Sequence, residues 1–309
     1  MMGTILPVLA SLLLFPGGLT VFLTGMAYEW MNRKLLARFQ TRVGPRWFQP
    51  LADVIKLLAK EEVVPEDVHP GLFTALPVVA LAGCLTAALY VPLWGVGPLY
   101  NFPGDLIVTL FLLSLLTLCL GIAGANTFDR FSLVGATRAF TQLFSYEAPF
   151  LLALLGPAFV AGSWQIDEIM ASGAARWVIL TQPIGFIVAV IGLIGKLELP
   201  PFDAPEAETE IVAGSLTEYS GRGLALFHMG KIIELVLGIT LIAALYLGGL
   251  YSPLDFLIKT IALLIVIVIL EALFARLRID QSVGLWWRYG TLLVLLQWLG
   301  TIFWKGVAI

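Results

Sequence analysis

The sequence predicts an all-α fold, a polytopic membrane protein of about eight transmembrane helices with one further amphipathic helix in the cytoplasmic-side interface. Of its 309 residues, 59% are hydrophobic and 13% charged, and the mean hydropathy is +0.94. A soluble domain would carry about a quarter charged residues. Apolar runs of about 20 residues, long enough to cross a bilayer, recur along the whole chain. Each is predicted to be a helix, because backbone groups in lipid must satisfy one another.

The apolar runs define eight candidate spans. The N-terminal run has no basic segment before it and is longer than a signal-peptide core, so we expect it to remain as the first span. No repeat or polar linker divides the chain, which predicts a single integral membrane domain over residues 1–309. The spans are placed at 5–30, 71–94, 105–126, 140–162, 177–197, 227–250, 255–275 and 285–304.

The segment between the first two spans predicts the interfacial helix. Gly44-Pro45 should interrupt any continuation of the first helix. Beyond it, four apolar residues fall on one helical face, as in a helix lying on a membrane. Basic residues on both sides of the break recur every four positions, and a topology signal that binds anionic lipid headgroups is an open alternative for them. The apolar residues are Leu51, Val54, Ile55 and Leu58; the basic ones are Lys34, Arg38, Arg42 and Arg46.

The basic residues also predict the orientation of the chain. Fifteen of the eighteen Lys and Arg residues lie in alternate loops and their margins, which the positive-inside rule assigns to the cytoplasm. Only Arg176, Lys259 and Lys305 lie on the other side. Both termini of this multi-pass cell-membrane protein are therefore expected on the outer side.

The two cysteines do not predict a metal site. Cys84 and Cys119 lie in apolar runs without a ligand-like neighbour, and buried cysteines usually behave as small hydrophobes. No CxxC or His/Cys cluster is present, so neither zinc nor an iron–sulfur cluster is expected in this chain. Nothing in the sequence predicts nucleic-acid binding.

Acids within apolar runs are the first functional candidates. Such residues are costly in a membrane and are usually functional. Low-dielectric surroundings favour the neutral carboxylic acid, so a buried Glu could exchange protons near neutral pH. Two of the acids have structural alternatives: Glu234 as an ion pair with Lys231 on one helix, and Glu271 as an interfacial residue near Arg276 and Arg278. The candidates are Glu147, Glu198, Glu234 and Glu271.

A second group of acids lies in KLELPPFDAPEAETEIVAGSLTEYSG, residues 196–221. Pro200-Pro201 should end the fifth span. Asp203 and Glu206 have the spacing of a capping box, which would make them helix caps, and Glu206 and Glu210 would then share a helical face. A solvated acidic loop is the other structural alternative. Coupled titration of neighbouring carboxylates is the functional one. The acids are Glu198, Asp203, Glu206, Glu208, Glu210 and Glu218.

Three segments closely resemble signatures of the complex I H-type membrane subunit family, which also supplies the membrane anchors of energy-converting hydrogenases and related redox pumps. They are PFDAPEAETEIVAGSLTEYSG, RVGPRWFQPLADVIKLLAKE and GATRAFTQLFSYEAPF. The resemblance implies a membrane subunit that joins a peripheral electron-transfer arm to antiporter-like subunits and relays protonation changes between them. It implies an oxidoreductase or translocase subunit with no redox centre of its own.

The resemblance also implies roles for named residues. Glu234 and Glu271 do not match acids of the family's motifs. They are candidates only because each is an acid within an apolar run. Proton relay is predicted for Glu147, Glu198, Asp203, Glu206, Glu208, Glu210, Glu218, Glu234 and Glu271. Contact with the peripheral arm is predicted for Arg38, Arg42, Arg46, Arg138, Arg276, Arg278 and Asp280.

The implied partners are hydrogenase-like large and small subunits, antiporter-like and small membrane subunits, and lipid. Nickel–iron and iron–sulfur centres are expected in partner subunits, and no cofactor in this chain. Only Arg46-Trp47-Phe48 separates Gly44-Pro45 from Gln49-Pro50, whereas quinone-reducing members carry a longer insert. The short form resembles the hydrogenase-type branch, and a quinone-site subunit of complex I proper is the alternative. Two further functions are alternatives. A self-sufficient transporter is expected to contain internal repeats, which the sequence does not show. A passive anchor for the peripheral arm would not require the intramembrane acids.

Overall fold

The computed structural model describes Leu14, Phe15 and residues 17–174 and 177–307, without the side chains of Glu208 and residues 304–307. Within these residues the fold is all-α, as predicted, with a single isolated bridge between Leu93 and Val96. The helices are α1 Gly18–Phe39, α2 Gln49–Ala59, α3 Pro70–Ala87, α4 Asp105–Asn126, α5 Arg130–Ala161, α6 Ile166–Ala174, α7 Pro183–Lys196, α8 Glu208–Ile211, α9 Gly221–Tyr246, α10 Pro253–Leu273, α11 Ile279–Leu285 and α12 Thr291–Val307.

Each predicted span falls on a helix. Among the described residues, α3, α4, α5, α9 and α10 are long and apolar enough to cross a membrane, and α7 is a shorter apolar helix. Residues 5–13 of the first predicted span lie outside the described residues. The predicted interfacial helix is present as α2. Eight crossings therefore stay a prediction, while a polytopic helical membrane protein is confirmed.

Several predicted boundaries were wrong. The fourth span was expected from residue 140, but α5 begins at Arg130, because the Asp129 carboxylate caps the amides of Phe131 and Ser132 at 2.9 and 3.0 Å. The second span was expected to residue 94, but α3 ends at Ala87. The first span was expected to end at residue 30, but α1 continues to Phe39 and ends before Gly44-Pro45. The last span is interrupted by a π-helical turn, Trp286–Gly290.

The centre of the fold is α9, the most buried of the long helices. It packs against α1, α3, α4, α7 and α10. Gly238 on α9 brings it against Leu193 of α7, where an added Cβ would overlap the leucine side chain. This close packing places the end of α7, the middle of α5 and the polar first half of α9 next to one another, and these segments carry the candidate acids.

Candidate functional site

The acid-rich segment returns over the ends of α5 and α9. Gln142 on α5 fixes its start, because its side-chain amide donates to the carbonyls of Gly195 (3.0 Å) and Phe202 (2.6 Å). The predicted capping box is wrong: the Asp203 side chain binds Arg276, and the short helix α8 begins only at Glu208. Glu206 and Glu210 do not share a helical face, since each pairs with a different base.

The first polar group, at the protein surface, is the arginine cluster, Arg138, Asp203, Glu210 and Arg276. Arg138 donates to Glu210 at 2.7 Å, and Arg276 binds both Glu210 (3.5 Å) and Asp203. The hydrogen bond and charge of Arg138 hold the pKa of Glu210 below its ordinary value. An open cavity of about 590 Å³ is lined by Arg138, Glu210 and Arg276 of the cluster, together with Arg278 and Asp280, which pair at 2.9 Å.

The next group is the Lys231 triad, Glu198, Glu206 and Lys231. The Lys231 ammonium donates to Glu198 at 2.6 Å and also to Glu206. Burial raises the pKa of the Glu198 carboxyl against the pull of Lys231. Burial also acts to raise the pKa of Glu206, but there Lys231 outweighs it and lowers that pKa. The two carboxyls bound to Lys231 therefore have pKa values shifted in opposite directions.

The deepest group is the Lys196 triad, Glu147, Lys196 and Glu234. Lys196, the last residue of α7, and Glu234 each expose only 1% of their side chains. The Lys196 Nζ atom lies 3.9 Å from Glu147 Oε2 and 3.6 Å from Glu234 Oε1. Glu147 also accepts a hydrogen bond from Ser114 on α4. The alternative of a same-helix pair between Lys231 and Glu234 is wrong, because Lys231 binds Glu198 and Glu206 while Glu234 faces Lys196 at 3.6 Å.

A fourth acidic group connects α1 with α2 and α10. Arg33 binds Glu29 at 2.6 Å and Asp53 of α2 at 3.1 Å. Glu271 is buried and hydrogen-bonds Asn32, and does not pair with Arg276 or Arg278 as the interfacial alternative required. Glu271 therefore faces the interior.

Two neighbouring cavities, of about 620 and 220 Å³, lie between α1, α9 and the acid-rich segment. Arg33, Glu206, His228 and Lys231 line both. Polar walls of this kind could hold water molecules, which would connect the Lys231 triad with the Arg33 pairs. Within the described residues no group of three or more His, Cys, Asp or Glu could hold a metal ion.

The remaining predicted site residues do not belong to any of these acid–base groups. Glu218 is half-buried and has no ion-pair partner in the described part of the chain, and the Glu208 side chain lies outside what the structure describes. Arg38, Arg42 and Arg46 are exposed at the end of α1 and in its connection to α2, away from the cavity that holds the other predicted contact residues.

The two central bases, Lys196 and Lys231, were not predicted in their observed pairs. Lys196 was counted only as a topology signal, and Lys231 was considered as a partner of Glu234, whereas it binds Glu198 and Glu206. The available signal was their position at or inside the ends of apolar helices, where an unpaired charge would be costly. His228, which lines both inner cavities, was also missed.

Comparison with known proteins gives consistent matches over nearly the whole chain. The family described as NADH dehydrogenase matches residues 12–302. The H subunit of the NADH-quinone oxidoreductase of Dehalococcoides mccartyi is 34% identical over 281 residues, covering 87% of this chain and 79% of the relative. The H subunit of the same enzyme from Thermomicrobium roseum is 34% identical over 301 residues, covering 87% and 88%.

A solved structure has the same fold. A chain of the membrane-bound sulfane sulfur reductase, an archaeal respiratory membrane complex, superposes with a TM-score of 0.83, covering 91% of this chain and 95% of its own. Its sequence is 24% identical to this chain. At that identity the likeness bears on the helical architecture alone.

Proposed function

The chain belongs to the NADH dehydrogenase family, whose curated relatives are H subunits of NADH-quinone oxidoreductases, and from this premise we propose that it is the membrane subunit of a complex I-like redox-driven ion pump. It anchors a peripheral electron-transfer arm and relays changes of protonation toward neighbouring membrane subunits. The hydrogenase or sulfur-reductase type is the form we favour, on the short connection between Gly44-Pro45 and Gln49-Pro50.

The observation that carries this proposal is the order of three acid–base groups by depth. The arginine cluster lies at an open cavity, the Lys231 triad is half-buried, and the Lys196 triad is buried. In the two inner groups one lysine faces two carboxylates. Each therefore carries one negative charge too many, unless one carboxyl holds a proton. That arrangement stores a proton that a nearby change of charge can release.

The physical mechanism follows from these charges. Electron transfer in the peripheral arm changes the charge next to the arginine cluster, and Glu210 and Asp203 are bound there by arginines on α5 and after α10. A change in those pairs alters the field at the Lys231 triad and then at the Lys196 triad. Low-dielectric surroundings screen such a signal less than water does.

The proposed partners follow the same arrangement. Hydrogenase-like large and small subunits, carrying nickel–iron and iron–sulfur centres, would contact Arg138, Arg276, Arg278 and Asp280. Antiporter-like and small membrane subunits would lie beside the helices, with lipid around them and both termini on the outer side. Arg38, Arg42 and Arg46 would contact either the arm or anionic headgroups.

The test replaces Glu147 by glutamine in the assembled complex. Glutamine keeps the size of the side chain but cannot exchange the proton, so we expect ion pumping to be lost while dye-linked electron transfer by the peripheral arm is retained. Pumping is measured as ion uptake per electron in reconstituted vesicles. Glu168→Gln, an exposed acid on α6, is the matched control and should pump normally. Full pumping by Glu147→Gln would reject the relay and leave a passive anchor.

One observation favours a second candidate, the quinone-site subunit of complex I proper. The cavity of about 620 Å³ is lined by apolar residues, among them Leu57, Leu216 and Leu224, and by polar residues that include His228 and Lys231. Its size and mixed lining fit a quinone headgroup. If a quinone binds there, a quinone analogue should protect residues 33–50 from covalent labelling. Equal labelling with and without the analogue would favour the hydrogenase-type branch.

A further inference from the structure

Lys196 and Lys231 face their acids in two different ways. Lys231 is hydrogen-bonded to both of its carboxylates. Among the described residues, Lys196 has no hydrogen-bond partner for its Nζ atom, although Glu147 and Glu234 lie within 3.9 and 3.6 Å. Glu147 Oε2 and both carboxylate oxygens of Glu234 also have no hydrogen-bond partner in the part of the chain that the structure describes. A buried ammonium thus lies between two carboxylates without being bonded to either.

From this position the Lys196 ammonium can form a hydrogen bond with either Glu147 or Glu234. The lysine side chain is flexible and carries a compact charge with three rotatable donors. A movement of about 1 Å toward Glu147 or Glu234 would make a hydrogen bond of normal length on one side and lengthen the distance on the other. The two carboxylates are on different helices, α5 and α9, and Nζ lies between them within ion-pair distance of both but at hydrogen-bond distance from neither.

The other groups that face Lys196 do not compete with this pairing. The Tyr146 ring on α5 lies with its centre 6.0 Å from Nζ, and Cys84 on α3 lies within electrostatic reach of Lys196 and Glu234. Glu198, two residues along, is bound to Lys231. The backbone of Glu198 is left-handed, with φ 54°, so the chain makes a strained turn two residues after Lys196.

We propose that Lys196 is a movable counter-charge that couples the proton occupancies of Glu147 and Glu234, a positioning role that rests on the relay proposed above. When Lys196 moves to Glu147, that carboxylate stays ionised and Glu234 takes up a proton. When it moves to Glu234, the proton leaves Glu234 and Glu147 takes one up. Lys196 itself stays protonated throughout, so one proton is gained for each proton lost.

Infrared difference spectroscopy on the complete complex, before and after electrochemical reduction, tests this coupling. The carboxyl bands of the two acids are assigned by their loss in Glu147→Gln and Glu234→Gln. We expect them to change with opposite sign in the wild type. In Lys196→Met, which keeps the length but not the charge, both reduction-dependent changes should disappear and ion uptake per electron should fall at least tenfold. Unchanged bands with full pumping would overturn the proposal.

Two further variants separate movement from charge and from folding. Lys196→Arg keeps the charge, but its planar fork can bind both carboxylates at once and should fix them, so pumping should again be lost. Full pumping by this variant would mean that no movable group is needed. Failure of both Lys196 variants to assemble would assign Lys196 a structural role and also overturn the proposal. Lys259→Met, which removes a lysine paired with Asp255 on α10, is the control.

The outcomes distinguish this proposal from the function beneath it. If Glu147→Gln pumps normally, the relay is wrong and the coupling with it. If Glu147→Gln stops pumping while both Lys196 variants keep the wild-type ratio of ions to electrons, the relay stands and only the movable lysine is wrong.

Discussion

Replacement of Lys231 by methionine is expected to lower the free energy of unfolding by about 3–5 kcal/mol, because it leaves an uncompensated charge inside the protein. Glu198 is 5% exposed, and Lys231 is the base hydrogen-bonded to it. Without the ammonium, Glu198 can remain buried only by binding a proton. The measurement is unfolding of the purified chain in mixed micelles with increasing denaturing detergent.

The loss should depend on pH in a direction that identifies its cause. Burial already raises the pKa of Glu198 in the wild type, and it should rise further without Lys231. A carboxyl whose folded pKa lies above its unfolded value stabilises the fold below the unfolded value, about 4.5, and this contribution is lost as the pH rises through the folded pKa. Lys231→Met should therefore be least destabilising at or below the unfolded value, about 4.5, and increasingly destabilising as the pH rises above it.

A double variant provides the control for Lys231→Met. Adding Glu198→Gln removes the buried charge and should recover most of the lost stability. Lys259→Met removes a partly buried lysine bound to Asp255 at 2.9 Å and to the Gly249 carbonyl at 2.8 Å, but Asp255 is 32% exposed and water can solvate its charge, so this variant should lose clearly less stability than Lys231→Met. An equal loss in both lysine variants, or no recovery in the double variant, would show that packing rather than the Glu198 charge sets the effect.

The sequence predicted a helix correctly where a single uninterrupted apolar run determines both of its ends. The span predicted at 105–126 coincides with α4, since an uninterrupted apolar run is bounded by Gly104 on one side and Thr127 on the other. The start of α5 was missed, because residues 130–139 are too polar for a span and their helix depends on the Asp129 cap. An apolar run marks a segment in apolar surroundings, either lipid or the protein interior, as for the buried α9, whereas helix ends follow from capping and tertiary contacts.

The acids of the site were predictable and their partners were not. The sequence alone identifies an isolated Glu within an apolar run, and Glu147, Glu198 and Glu234 were predicted in this way. Lys231 stands three residues before Glu234, which indicates a same-helix pair, yet it binds Glu198 and Glu206. That choice depends on how the 197–220 segment folds back over α9. The return is set by backbone contacts at Gly135 and Gly214, which no periodicity reveals.

Gly214→Ala is expected to displace the acid-rich segment from α5 and disconnect the relay. Gly214 has φ +55°, a conformation that costs an alanine roughly 1–2 kcal/mol. An added Cβ would also overlap the Pro205 carbonyl oxygen and approach the Glu206 backbone. Because Glu206 and Glu210 flank this contact, their bonds to Lys231 and Arg138 should be lost with it. Limited proteolysis should cut the segment at least tenfold faster, and pumping should fall in parallel.

A second glycine distinguishes the two possible causes of that displacement, the collision of the added Cβ and the strain of a left-handed alanine. Gly162 follows α5 with φ +74°, and no heavy atom of the described residues lies within 4 Å of its added Cβ. Gly162→Ala therefore carries the strain of a left-handed alanine without the collision and should leave both the proteolysis rate and pumping near wild type. Gly135→Ala should reproduce the Gly214→Ala result from the opposite side, since its Cβ would overlap the backbone of Gly214 and Ser215. Similar behaviour of the Gly162 and Gly214 variants would mean that strain alone is responsible and that the packing of the segment against α5 does not hold the acids in place.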